Sequence, residues 1–169
     1  MTIYKNIKEI LKTLNIKFKE ITHDESKSCD DSKKFRKKAW LEWIWSKNIL
    51  FSCKKKFYLV TTIWDKSIKA KKFKKEFGSK DIRFAYENEL LQIIGINKWS
   101  IPPFGYEDNK LPLYVDKEIL EYDYFIFNPG IPTKSIQISS LDLIKIYDFI
   151  WNKVKFFTHK NDLFEMEND

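Results

Sequence analysis

The sequence is short of the residues that build the commonest catalytic and binding motifs. Its 169 residues include 4 glycines, 5 prolines, 2 cysteines and 2 histidines. The glycines form no phosphate-cradling loop, and the histidines, His23 and His159, lie far apart in the sequence. Cys29 and Cys53 lack the spacing of zinc ligands, and there is no signature of a Ser-His-Asp triad. We therefore expect neither a metal nor another cofactor.

Long apolar runs are also missing. No run approaches the ~18 residues that a membrane span needs, and residues 1–14 have the spacing of an amphipathic helix instead of a signal sequence. Two cysteines without a framework pattern favour a reducing compartment. We expect a cytoplasmic monomer with no membrane partner.

Lysine is abundant and unevenly distributed. The net charge is +7, but residues 1–80 hold 22 basic against 9 acidic residues, a balance of +13, and residues 81–169 hold 9 against 15, a balance of −6. A basic half is typical of nucleic-acid partners, because lysines that neutralise phosphates release counterions. A genome biased toward Lys, Asn and Ile would give the same excess, so both explanations stay open.

The hydrophobic pattern predicts one mixed α/β domain. A hydrophobic content of 43% suffices for a single core. We place this domain at residues 1–155 and a polar tail or linker start at 156–169. Helical or strand spacing predicts helices at 3–14, 35–45, 65–77, 87–94 and 140–154, and strands at 16–21, 48–53, 57–63, 81–85, 113–115, 124–128 and 135–138. Lysines 54–56 are predicted to turn a hairpin, and Gly78 and Gly95 to end helices.

One apolar loop concentrates rigid and permissive residues. The stretch "GINKWSIPPFGYEDNKLPLYVD", Gly95 to Asp116, holds three of the five prolines and two of the four glycines. We take it as the candidate binding site. Without the usual catalytic residues, an enzyme of this sequence must act through lysine, backbone amides and a shaped pocket. Such groups suit hydrolysis of an activated ester by a positioned water.

Several motifs in order resemble a known family. "KNILF", "FYLVTT", "DKSIKAKKF", "GSKDIRFA", "ENELLQIIG", "IPPFGY", "LPLYVD" and "FNPGIP" follow one another between about Leu14 and Ile146. Together they resemble the YbaK-type aminoacyl-tRNA deacylases, also called the prolyl-tRNA synthetase-associated editing domain. The resemblance implies a central mixed sheet flanked by helices. It also implies a pocket that hydrolyses the ester between a wrong amino acid and the terminal adenosine of a tRNA.

The resemblance assigns the candidate site residue by residue. Lys47 stands where the family has its essential lysine, and a cationic donor there can hold a phosphate or the ester carbonyl. His23 matches a histidine that is frequent after the first strand. In "FNPGIP", Gly130 matches the family's glycine, and Asn128 stands where some relatives have histidine. The remaining substrate-binding candidates form the loop Trp99, Ser100, Ile101, Pro102, Pro103, Phe104 and Gly105.

Trp99 is the clearest departure from the family. The family has a Gly-x-x-x-Pro loop in which glycine lets backbone amides approach the substrate. Pro103 matches this pattern, but Trp99 occupies the glycine position. Its indole either fills part of the aminoacyl pocket, the arrangement we favour because the neighbourhood is apolar, or turns outward to stack on the terminal adenine.

The implied partner is the acceptor end of tRNA, with a prolyl-tRNA synthetase in cis or in trans. We expect Lys66, Lys71 and Lys72 to contact the tRNA backbone. Two other functions stay open. One is a catalytically silent tRNA-binding module associated with a synthetase. The other is a protein-interaction module that uses the tryptophans of "AWLEWIW", although such residues are more often buried in a domain's own core.

Overall fold

The protein is a single mixed α/β domain, as predicted. The computed structural model describes residues 2–25, 30, 34 and 44–158. Within these residues there are eight strands: β1 (Phe18–Thr22), β2 (Ile44–Cys53), β3 (Lys56–Ile63), β4 (Ile82–Phe84), β5 (Leu113–Asp116), β6 (Tyr124–Phe127), β7 (Lys134–Ser139) and β8 (Val154–Phe157). They form one sheet in the order β1-β7-β6-β2-β3-β5-β8, with β4 also paired to β2.

The sheet is mixed, with β2 at its centre. β2 runs antiparallel to β3 and β4 and parallel to β6, while β3, β5 and β8 are parallel to one another. The predicted β2–β3 hairpin is confirmed. Lys54 and Lys55 turn it with φ values of 50° and 64°, the left-handed conformation that tight hairpin turns require.

Four α-helices flank the sheet in the described part of the chain: α1 (Ile3–Thr13), α2 (Lys74–Phe77), α3 (Glu87–Ile94) and α4 (Asp142–Phe149). Two short 3₁₀ helices lie at Ala70–Phe73 and Lys117–Glu121. Gly78 and Gly95 end α2 and α3 in the left-handed conformation, as predicted. None of the helices described here is long and apolar enough to cross a membrane.

The sheet has a separate core on each side. On one side α1, α3 and α4 bury Ile7, Leu90 and Ile146 against the strands, and we call this the helical face. On the other side residues 65–78 bury Phe73 and Phe77 against β2, β3 and β5. We call this the lysine face, because residues 65–78 carry exposed lysines.

Three predicted helices need correction. Residues 65–77 are not one helix, because Lys66 and Ile68 are drawn into the interior and the chain stays extended at Lys69. The last helix ends at Phe149 instead of continuing to Val154. Trp45, predicted to be helical, lies in β2 and stacks on Trp64 with ring centroids 4.9 Å apart; residues 35–43 of that predicted helix lie outside the described residues.

The final strand crosses the expected domain boundary. Val154–Phe157 forms β8, which pairs in parallel with Leu113–Asp116. The alternation of Val154 and Phe156 with Lys155 is the period of a half-buried strand. The sheet therefore continues two residues beyond position 155.

Candidate functional site

One edge of β2 is only partly paired. On this edge β6 pairs with Ile44 and Trp45, and β4 pairs with residues 51–53. Between these two strands, no other strand of the described chain pairs with residues 46–49. We call residues 46–49 the open edge. Backbone groups without a strand partner among the described residues can bind a ligand at such a place.

Lys47 and Asn48 are neighbours on the open edge, and their side chains lie on opposite faces of the sheet. Successive side chains of a strand point to opposite faces. Lys47 pairs with Thr62 on the lysine face, and Asn48 pairs with Thr61 on the helical face. The Thr61 hydroxyl donates to the Asn48 side-chain oxygen at 2.7 Å. The Asn48 amide also donates to the Ile101 carbonyl oxygen and the Ser46 hydroxyl, so Asn48 serves the fold, whereas Lys47 lies on the other face of the sheet.

The Lys47 ammonium is anchored by a backbone carbonyl. Its Nζ donates to the carbonyl oxygen of Lys66 at 2.9 Å. Lys47 itself is half-buried, and its ammonium has three donors, of which this bond uses one. Within the described residues the ammonium contacts Lys66 and not the loop of residues 99–105.

Lys66 does not fit the expected role as a tRNA backbone contact. Its side chain is 3% exposed, and its ammonium lies 2.7 Å from the Asp116 carboxylate and also pairs with Glu118. Burial alone would lower the pKa of this ammonium, but the hydrogen bonds and charges of the two carboxylates outweigh burial and raise its pKa above the ordinary value. A phosphate could reach the Lys66 ammonium only if these buried ion pairs were broken.

The loop of residues 99–105 is fixed through its carbonyl groups. Four of its carbonyl oxygens accept a hydrogen bond from a side chain elsewhere in the fold. The pairs are Asn48 with Ile101 at 2.8 Å, Tyr106 with Pro102 at 2.5 Å, Tyr147 with Pro103 at 3.3 Å, and Asn6 with Gly105 at 3.2 Å. Burial raises the pKa of both tyrosines, so both remain donors at neutral pH. The loop is therefore a rigid wall.

Most side chains of this loop belong to the core. Residues 100–105 are all buried, and Phe104 packs on Phe127 with ring centroids 5.2 Å apart. The apolar side chains of residues 100–105 are buried in the helical face, so contact between this loop and a substrate would be made by its backbone. Ser100 differs from the others: its buried hydroxyl has no hydrogen-bond partner among the residues that the structure describes.

Trp99 points away from this core. Its side chain is 51% exposed, and the Lys98 ammonium lies 5.3 Å from the centre of its ring. The indole is not enclosed by its surroundings, which supports the outward-turned arrangement more than the pocket-filling arrangement that the sequence favours. An exposed aromatic face is instead suited to stacking.

Asn128 and Gly130 form a turn that begins level with Lys47. Trp45 lies opposite Ile126 where β2 and β6 run parallel, and Lys47 and Asn128 each come two residues later, Asn128 directly after the end of β6. The Asn128 side-chain oxygen accepts from the Gly130 amide at 2.9 Å. Gly130 lines a pocket of about 700 Å³ between the start of α1 and the end of α3, which is within the size range of ligand pockets.

His23 is not brought close to Lys47. One ring nitrogen lies 3.0 Å from the Ser135 hydroxyl and the other 2.7 Å from the Asp24 carbonyl oxygen. His23 follows β1, and β7 and β6 separate β1 from β2. Three strand spacings amount to about 14 Å. The His23 ring is therefore held by Asp24 and Ser135, apart from the Lys47 region.

Lys71 and Lys72 are exposed on the lysine face. They belong to the 3₁₀ helix that packs Phe73 into the core beneath them. Lys69, Lys74 and Lys75 are exposed in the same segment. This surface lies on the side of the sheet to which Lys47 points.

Two important residues were missed in the sequence. Asn48 connects β2 to the loop, and Asp116 holds Lys66. Both belong to quoted motifs, "KNILF" and "LPLYVD". A lone carboxylate at the end of an apolar strand predicts a buried cationic partner, because buried charges are rarely left unpaired.

Comparison with known proteins gives a family and a fold. A family model described as the aminoacyl-tRNA editing domain matches residues 23–146. The solved structure of hypothetical protein APE2540 has a TM-score of 0.72 and 17% identity, over 88% of this chain and 96% of that chain. The structure of a candidate trans-editing enzyme for prolyl-tRNA synthetase has a TM-score of 0.71 and 18% identity, over 95% of this chain and 99% of that chain. At these identities the structural likeness establishes the fold alone.

Proposed function

The chain belongs to the aminoacyl-tRNA editing domain family, and we propose that it hydrolyses the ester bond of a mischarged aminoacyl-tRNA at the open edge of β2. The observation that carries this proposal is the anchored Lys47 ammonium at an edge that the rigid loop also reaches through Asn48. We propose tRNA-Pro or a related tRNA as the substrate. The chain would work with a prolyl-tRNA synthetase in cis or in trans, and a structural neighbour described as a trans-editing enzyme for that synthetase supports the choice of synthetase.

The proposed reaction needs few protein groups. A water adds to the ester carbonyl carbon, and a remaining Lys47 donor stabilises the negative charge that develops on the carbonyl oxygen. The carbon–oxygen bond to the ribose then breaks, the ribose oxygen takes a proton, and the free amino acid and the tRNA leave. Asn128, level with Lys47, supplies an amide that can bind a ribose hydroxyl.

The proposed tRNA path runs over the lysine face. Lys71 and Lys72 are exposed on the same side of the sheet as Lys47, so phosphates near the acceptor end could follow this surface while the ester enters the open edge. Trp99 offers an aromatic surface for the splayed terminal base.

The function is tested with a panel of charged tRNAs. Purified protein is incubated with tRNA-Pro carrying Ala, Cys or Pro, and with cognate tRNAs carrying Ala, Cys, Ser or Thr, and the remaining ester is measured over time. We expect at least one mischarged tRNA to be hydrolysed much faster than Pro-tRNA-Pro. Intact esters with normal tRNA binding would instead identify a silent binding module.

Replacing Trp99 by Ala should weaken tRNA binding. The loss of one base–aromatic stack is expected to cost ~1–3 kcal/mol, while the order of preference among amino acids should stay unchanged if the exposed indole contacts the base and not the amino acid. The matched control is Trp151→Ala, since Trp151 is 89% exposed and lies outside the proposed path. The affinities of the wild type and both variants for tRNA are measured by fluorescence anisotropy. A broader amino-acid range with unchanged affinity would restore the pocket-filling alternative.

Removing two lysines from the lysine face should reduce the salt dependence of binding. We expect Lys71→Ala with Lys72→Ala to flatten the plot of log affinity against log salt by ~0.7–0.9 for each lost phosphate contact. Lys12→Ala with Lys17→Ala removes two exposed lysines outside the lysine face and should leave the slope as it is. Equal slopes for wild type and the Lys71/Lys72 double variant would show that these two lysines do not contact tRNA.

A further inference from the structure

Lys66, whose carbonyl oxygen anchors the Lys47 ammonium, forms a buried ion pair with Asp116. Asp116 is fully buried, and Lys66 is 3% exposed. One Asp116 oxygen accepts from the Lys66 ammonium and from the Thr62 hydroxyl, each at 2.7 Å. The other accepts from the Glu118 amide at 3.0 Å. Both oxygens of the carboxylate thus accept hydrogen bonds within the fold.

This pair is a costly way to hold the fold together. A buried Lys–Asp pair loses the hydration of two charges, and well-packed apolar residues usually give equal or greater stability. The neighbouring core of the lysine face shows that such packing is available, since Phe51, Val60 and Tyr114 are buried there. Stability alone therefore does not explain why charged residues occupy these positions.

Lys66 is fixed at both ends. Its amide donates to the Ile63 carbonyl oxygen at 3.0 Å, and its side chain is held by Asp116. Between these two anchors, its carbonyl oxygen accepts the bond from the Lys47 ammonium at 2.9 Å. The orientation of that carbonyl, and with it the position of the Lys47 ammonium, depends on the side chain of Lys66.

We propose that Lys66 and Asp116 are positioning residues that hold the Lys47 ammonium in the place it needs for catalysis. This inference rests on the proposed function for its catalytic consequence, but the positioning itself can be measured independently. Lys66 acts through its backbone carbonyl and Asp116 through Lys66. Glu118, which also pairs with Lys66 and is 34% exposed, closes the pair toward solvent.

The test removes both charges together. In Lys66→Met with Asp116→Asn, the Asn oxygen accepts from the Glu118 amide and its NH2 group donates to the Thr62 hydroxyl, which can accept as well as donate. No buried charge is left alone, and we expect the protein to fold. With the best substrate of the tRNA panel, kcat should fall about tenfold to a hundredfold, the effect of a small misplacement of a catalytic group. KM should stay within about twofold, because the pair does not contact tRNA.

A second readout does not depend on activity. The rate at which an N-hydroxysuccinimide ester acylates Lys47, followed by peptide mass spectrometry, should rise several-fold in the double variant, because the ammonium is no longer held by a fixed carbonyl. The matched control is Lys155→Met with Glu76→Gln, which removes a lysine–carboxylate pair that is exposed to solvent. The control should leave kcat and Lys47 acylation unchanged.

The outcomes separate the two proposals. If the wild type hydrolyses no ester, the proposed function fails, and the acylation rates alone decide whether the pair positions Lys47. A folded double variant with wild-type kcat, or with wild-type Lys47 acylation, overturns the inference. Should the double variant not fold, Glu118→Gln replaces it, because this partly exposed residue loses only one ion pair with Lys66. Like the double variant, Glu118→Gln must then lower kcat and raise the rate of Lys47 acylation.

Discussion

Lys47→Ala is expected to lower the rate of ester hydrolysis ~10²–10³-fold, the usual cost of removing one donor that stabilises a developing oxyanion. The expected loss is in kcat, because the charge on the carbonyl oxygen grows only as the reaction proceeds. Folding should be little affected, since Lys47 is half-buried and its one hydrogen bond within the described residues goes to a backbone carbonyl. Single-turnover rates on the best panel substrate, together with the urea midpoint, measure both effects.

The control for this result is Lys56→Ala. Lys56 is an exposed lysine at the start of β3, the strand that pairs with β2, so its removal changes the net charge by the same amount. We expect its rate to match that of the wild type within about twofold. Full activity of Lys47→Ala would reject Lys47 as the catalytic donor. Lys47→Arg should not restore the rate, because the planar guanidinium occupies a different volume.

Local signals predicted the elements that depend on local contacts. Residues 87–94 form α3, and Gly95 ends it with φ +68°, because a left-handed glycine after an apolar helical pattern is a self-contained signal. The β2–β3 hairpin is similarly local, since its two strands are joined by Lys54 and Lys55. Such features need no information from distant parts of the chain.

The errors occur where distant residues decide. Residues 65–77 have helical spacing, yet Lys66 is held by Asp116, which is fifty positions away in the sequence. Val154 extends a helical pattern, yet it pairs in parallel with Leu113. No local propensity contains these contacts, because long-range pairing overrides intrinsic preference.

The candidate site shows the same division. Lys47 was found through its motif, but the carbonyl that anchors it belongs to Lys66, which the sequence assigned to the tRNA surface. The loop stands out in the sequence by its prolines and glycines, but the burial of its apolar residues in a core depends on the distant elements that pack against it. Motif position identified the residue that could act, whereas its direction required the register of β2 against β3.

Gly105→Ala is expected to destabilise the protein by about 2–5 kcal/mol, from strain at a left-handed backbone and overpacking of the core. Gly105 has φ +101°, and a Cβ at this position would lie 2.5 Å from Cγ1 of Ile7. Ile7 is fully buried in α1, so it has little room to move. The added methyl must displace either α1 or the loop that ends at Gly105.

Gly95→Ala separates the two causes of this loss. Gly95 has a similar left-handed conformation, with φ +68°, but a Cβ there would meet no atom within 4 Å. We expect it to cost only the backbone strain, about 1–2 kcal/mol. The two variants are compared by urea unfolding at 25 °C, with one common slope for the dependence of the unfolding free energy on urea concentration. Equal midpoints would mean that α1 yields to the methyl without cost. A lower midpoint for Gly105→Ala, together with reduced ester hydrolysis by the folded fraction, would tie the packing of α1 against the loop to the shape of the site.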